Sequence, residues 1–196
     1  MFKTCVIAAA ACLSISSAYA NALHLNPDQP AQSKNMRTYG QTSIPFGAYD
    51  FCSRAPGECG TATNPKVIKL NRGVWQKIVR VNDQVNRSVK PMTDIEQYGV
   101  EENWSLPVYA GDCEDYALEK RRILRQLGIP PGALLMTVGY DEDGGGHAVL
   151  TVVTDNGDFI LNNTEPRVLR WQDAELTYLK RQSPGNLGRW ESLRPN

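Results

Sequence analysis

The sequence predicts an α+β domain, with helices in the first half of the folded region and antiparallel strands in the second. Two observations predict the halves. Between Asn71 and Gly128, two segments place their apolar residues three and four apart, the period of a helix with one buried face. After Pro130-Pro131 the pattern changes to apolar runs of strand length: ALLMTVGY (133–140), HAVLTVVT (147–154) and DFILNN (158–163). A third observation fixes the direction of the strands. The last two runs are joined by DNGD, a strong hairpin signal.

In chain order, the first twenty residues, MFKTCVIAAAACLSISSAYA, carry one cation (Lys3), an apolar run from Cys5 to Leu13, and an Ala18-Tyr19-Ala20 ending. They read as a cleaved secretory signal, so residues 1–20 form a signal peptide and the mature chain starts near Asn21. The apolar run is far short of the ~20 residues a membrane span needs. Residues 21–45 are polar and proline-bearing, and predict an extended or flexible leader. The remainder, 46–196, is read as one domain.

Within that domain, Phe46 to Cys59 is expected to be loop. Val74, Trp75, Ile78, Val81, Val85 and Val89 mark an amphipathic helix from Asn71 that Pro91 ends. A second helix runs from Cys113 through Tyr116, Ala117, Lys120, Ile123, Leu124 and Leu127, with Asp112 placed as its cap and Gly128 as its stop. VLRW (168–171) is expected to add a strand. Tyr178 to Leu193 reads as a loop-rich tail anchored by Trp190, a core residue like Trp75.

Lys and Arg number 21, and Asp and Glu also 21. That balance excludes nucleic-acid binding by bulk electrostatics. Of five cysteines, Cys5 and Cys12 fall in the signal, leaving Cys52, Cys59 and Cys113. Cys52 and Cys59 bracket SRAPGE, whose Pro56-Gly57 turn brings their ends together. They are the natural disulfide in an oxidising compartment, and Cys113 is then the odd thiol.

A thiol nucleophile needs a base, and there are two histidines. His24 lies in the polar leader, whereas His147 opens a strand directly after three glycines that leave room for a substrate chain. The hairpin returns Leu161-Asn162-Asn163 alongside His147, and the amide of Asn162 can hold the imidazole tautomer. Asp158 is an alternative partner on the same strand face, four residues away. Zinc is disfavoured by the absence of CxxC and HExxH spacing. AGDCEDYAL (110–118) sets Asp112, Glu114 and Asp115 around Cys113. These acids lie at the positive end of a helix dipole, where each is worth ~0.3–1 kcal/mol; alternatively, their oxygens hold a hard cation. Of two oxyanion donors, the Cys113 backbone N–H is one candidate and the Trp104 indole, otherwise a packing residue, another.

The segments FCSRAPGEC, VNDQVN, NWSLPVYAGDCEDYALEKRRILRQLG, GGHAVLTVV and FILNN resemble the bacterial transglutaminase-like cysteine proteinases, exported proteins of papain-related fold that include calcium-dependent periplasmic proteases of the LapG type. The resemblance implies a catalytic helix packed on an antiparallel sheet. By position it implies Cys113 as nucleophile, His147 as base and then acid, and Asn162 where the family usually has aspartate. It also implies calcium at Asp112, Glu114 and Asp115. The expected protein is a periplasmic or secreted monomeric cysteine peptidase acting on a protein substrate, with no membrane span. Glutamine acyl transfer and a non-catalytic binding role are the alternatives.

Overall fold

The computed structural model describes residues 33–62 and 66–195; the expected signal peptide, and the leader as far as residue 32, lie outside the described residues. The chain forms β1 (Gln41–Thr42), α1 (Phe46–Arg54), a 3₁₀ turn (Pro56–Glu58), α2 (Arg72–Ser88), β2 (Lys90–Pro91), α3 (Asp94–Tyr98), β3 (Ala110–Gly111) and α4 (Cys113–Gln126). A 3₁₀ turn at Pro131–Ala133 leads into β4 (Leu134–Tyr140), β5 (Gly146–Thr154), β6 (Gly157–Leu161), β7 (Leu169–Arg170), β8 (Thr177–Ser183) and β9 (Asn186–Ser192). The order β1-β9-β8-β4-β5-β6-β7 makes one antiparallel sheet. This is the predicted α+β class.

Helices α2 and α4 pack on one face of the sheet. Trp75, Ile78, Val81 and Val85 of α2 join Tyr116, Leu118 and Leu124 of α4 over Leu134, Met136, Leu150, Val152, Phe159 and Leu161. Trp75 meets Phe159 edge to face, with ring centroids 5.1 Å apart. The Asn71 side chain caps α2 by accepting the Val74 N–H at 3.0 Å. On the sheet's other face, Met36, Val149 and Ile160 cluster with Trp171, Tyr178 and Leu193. The end of the leader is therefore ordered where it is described: Met36 is buried, and the Asn35 amide and Met36 N–H both donate to Asp158.

Two expectations are corrected. Phe46 to Cys59 is helical over α1, not loop. Gly47 hid the helix from propensity, and packing explains the glycine: a Cβ there would stand 2.3 Å from the Trp104 indole. The Cys52–Cys59 disulfide joins the end of α1 to the residue after its 3₁₀ turn, with Cα atoms 5.5 Å apart. The tail is a hairpin, β8 and β9, turning at Pro184-Gly185. Its strands carry polar residues whose partners are distant in sequence. Arg181 pairs with Asp158 at 2.9 Å, and Gln182 bonds the Met136 N–H and the Leu187 carbonyl. Trp190 is buried, as expected of an anchor.

Candidate active site

Cys113 is the first residue of α4, and the sheet supplies a place for its sulfur. Pairing of β6 with β5 reaches only Leu150 opposite Leu161, so β5 runs on past the end of its neighbour. At this uncovered stretch the Ala148 N–H donates to Cys113 Sγ at 3.3 Å. The thiol in turn donates to Glu114 Oε2 at 3.2 Å. Burial first, and then the Glu114 charge, hold the thiol well above its ordinary pKa.

His147 lies immediately before Ala148 on β5, and its Nε2 is 2.8 Å from Asn162 Oδ1. Asn162 sits one residue beyond β6 rather than on it. Its Oδ1 also accepts the Thr164 N–H at 3.1 Å. A backbone N–H can only donate, so the atom between Thr164 and the imidazole must be the amide oxygen. The ring nitrogen facing that oxygen is then the protonated one, which leaves Nδ1 with a free lone pair. Asp158, the alternative partner, is fully buried in its pair with Arg181 and its bonds to residues 35 and 36. It does not serve the imidazole.

The acids around Cys113 divide. Asp112 is at the cap position of α4 but makes no capping bond; its Oδ2 instead accepts the Asp94 N–H at 3.1 Å. Parallel pairing of β2 with β3 sets Lys90 beside Ala110 and Pro91 beside Gly111, which brings the start of α3 to the start of α4. Asp94, Asp112 and Glu114 can each offer a carboxylate oxygen within 4.8 Å of the others. Asp112 Oδ1 is buried without a hydrogen-bond partner. Burial and then Asp112 raise the Glu114 carboxyl to about 9. Asp115 stands outside that trio of atoms. It is fully buried, accepts the Ser105 N–H at 2.7 Å, and is pushed up to about 7, chiefly by burial. Gly111 makes room for it, since a Cβ there would lie 2.5 Å from Asp115 Oδ2.

Asp94 is the acid that the sequence reading missed. Thr93-Asp-Ile-Glu96 is a capping box, with both reciprocal bonds formed, and was the available signal for α3. The Trp104 N–H is committed to Glu102 at 2.6 Å, and its ring packs edge to face with Trp190. It is a packing residue and offers no donor to the site. A cavity of about 390 Å³ opens beside His147 and Asn162, with Asp141, Glu142, Asp143 and Glu175 in its wall.

The sequence model of the bacterial transglutaminase-like cysteine proteinases matches residues 38–196. The chain belongs to that family. Calcium-bound LapG of Legionella pneumophila is similar in fold, with TM-score 0.51 and 18% identity over 77% of this chain and 91% of that one. Another LapG structure from the same organism gives TM-score 0.49 and 19% identity, covering 76% and 90%. No curated protein matches the chain. Membership makes this a cysteine-proteinase fold, and a proteinase family implies a protein substrate. Among the described residues no helix is long and apolar enough to cross a membrane.

Proposed function

We propose that the protein is an exported cysteine peptidase in which Cys113, His147 and Asn162 hydrolyse a peptide bond of a protein substrate. The observation that carries this reading is the shared oxygen of Asn162, held by Thr164 and facing His147 Nε2, one residue from the backbone N–H that touches the thiol. With Nε2 protonated, Nδ1 is the base. It takes the thiol proton, Cys113 Sγ attacks the scissile carbonyl carbon, and the imidazolium returns the proton to the leaving amine. Water then hydrolyses the thioester, with His147 again as base. The Cys113 N–H, at the first position of a helix, has no acceptor within that helix and is a donor for the oxyanion.

Asp94, Asp112 and Glu114 fit a calcium ion: three hard oxygen donors from two neighbouring segments, one with a buried oxygen otherwise lacking a partner. Bound there, the ion would supply positive charge against the Glu114 carboxylate beside the thiol. The neighbour described as calcium-bound supports this choice of metal. The expected signal peptide and the Cys52–Cys59 disulfide support a periplasmic or secreted location.

A non-catalytic role for the same fold draws on one observation, the thiol bonded to Glu114 and held above its ordinary pKa. Mapping of protein termini in cells carrying the native chain or Cys113→Ala separates the two. A peptidase leaves new termini that vanish with the sulfur; identical termini in both strains favour the binding role. Amine-modified glutamine in uncut chains would instead indicate acyl transfer.

A further inference from the structure

We propose that Asn86, on α2, is a positioning residue that aims the His147 imidazole by fixing the backbone of Asn162. The inference rests on the peptidase reading above, and extends the machinery to a helix that contributes no group to the reacting atoms.

The backbone of Asn162 lies beyond the sheet. Register between β5 and β6 ends at Leu150 and Leu161, and pairing with β7 involves only Phe159 and Ile160. From Asn162 until β7 begins at Leu169, no strand ladder holds the chain. A loop in this situation samples many conformations unless other bonds restrain it.

Those bonds come from α2. Asn86 Nδ2 donates to the Asn162 carbonyl at 2.9 Å and reaches the Glu165 carbonyl at 3.5 Å. One turn earlier, Asn82 Nδ2 donates to the Pro166 carbonyl at 3.0 Å. The spacing of four puts both amides on one helix face, so α2 grips the segment at both ends. Because a carbonyl only accepts, each side chain must present its nitrogen to the loop.

The opposite ends of these amides show what holding the loop entails. Asn82 Oδ1 and Asn86 Oδ1 are both buried without a hydrogen-bond partner. Asn82 is fully buried on a helix whose neighbouring inward positions are Ile78, Val81 and Val85. An aliphatic side chain would suit that interior better than a half-satisfied amide. What the amides provide is the attachment of residues 162–166.

The chain of contacts is short. Asn86 holds the Asn162 carbonyl, the Asn162 side chain accepts from His147, and His147 adjoins the residue whose N–H meets Cys113 Sγ. A displacement of about 1 Å at a catalytic group can cost a hundredfold in rate. Asn86 is closer to the orienting residue than Asn82, so its loss should matter more.

The test uses the full chain and reads the hydrogen-bonded Nε2–H of His147 by its imidazole resonance in proton–nitrogen-15 NMR, assigned with His147→Ala. It compares the native chain, Asn162→Ala, Asn82→Leu, Asn86→Leu and Asn86→Asp. The last is of equal shape and, when ionised, has no N–H to give. Far-ultraviolet circular dichroism establishes that each variant is folded, and the aspartate variant serves if leucine disrupts α2. Expected is a downfield, slowly exchanging Nε2–H resonance in the native chain, and its loss or upfield shift in Asn162→Ala and in the folded Asn86 variant. Asn82→Leu should show a smaller change. Iodoacetamide alkylation of Cys113 at neutral pH should slow at least tenfold in the Asn86 variants.

If Asn162→Ala shifts that resonance and folded Asn86 variants do not, the positioning role is overturned while the Asn162–His147 pair stands. If neither shifts it, both roles fall. A resonance shifted in the folded Asn86 variants together with a native Cys113 inert to iodoacetamide upholds the positioning role and overturns the peptidase reading instead.

Discussion

Asn162 gives His147 a neutral oxygen. The amide fixes the tautomer through its bond with Thr164, but it adds no negative charge to stabilise the protonated ring. Asn162→Asp keeps both acceptor contacts and adds that charge. Its Cys113 should react with iodoacetamide at pH 7 roughly ten- to a hundredfold faster than the native protein. Lys120 makes a different prediction at this scale. It lies two turns after Cys113 on α4, fully buried, with its ammonium lacking a hydrogen-bond partner and 5.9 Å from the Tyr116 ring. Burial lowers its pKa from 10.5 to about 7. The unfolded chain therefore holds an extra proton between about pH 7 and 10.5, and this residue's contribution to stability rises with pH across that window. The burial penalty is full below pH 7. Lys120→Met should stabilise the protein by roughly 1–3 kcal/mol at pH 6. Urea melts should show that gain shrinking towards pH 10.

At the scale of elements, α3 and the start of α4 are held together by the short β2–β3 pair and by the bond from the Asp94 N–H to Asp112. The three clustered carboxylates repel one another and oppose this approach. Calcium should therefore raise the melting temperature, and a chelator should lower it by several degrees. Asp112→Asn should largely abolish the response; thermal scans with and without calcium decide the matter. The same elements show what was legible in the sequence. Helices α2 and α4 and strands β4 to β6 were readable because each buries one regular face, and the Asp-Asn-Gly turn fixed the hairpin. Helix α1 was hidden by Gly47, whose reason is the distant Trp104. Strands β8 and β9 were hidden because Arg181 and Gln182 find their partners only in the folded sheet. Asp94 joined the site through a parallel pairing that no local pattern announces. Cys113, His147 and Asn162 were singled out by scarcity and order: one thiol outside the expected signal peptide and the predicted disulfide, one histidine opening a strand, and the first of two amides returned by a hairpin.

Across the whole molecule, the sheet is a platform with different tasks on its two faces. One receives α2 and α4 and carries most of the apolar core. The other is covered by the chain from Ser33, fastened through Asn35 and Met36 to the Asp158–Arg181 pair. The candidate site forms at the sheet end where β6 stops short of β5, so that sheet backbone and helix start meet at one sulfur and the loop meets the neighbouring imidazole. In this structure that sulfur is bonded to Glu114 and Ala148, and its proton is held by burial and charge. In a working peptidase, His147 nonetheless makes it a nucleophile. The most direct measurement is the iodoacetamide alkylation rate of Cys113 at pH 7, with calcium present, in the native chain and in His147→Ala. A peptidase site should react at least tenfold faster in the native chain than in the variant. Equal, slow rates in the two would mark Cys113 as an unassisted thiol and rule out the peptidase role.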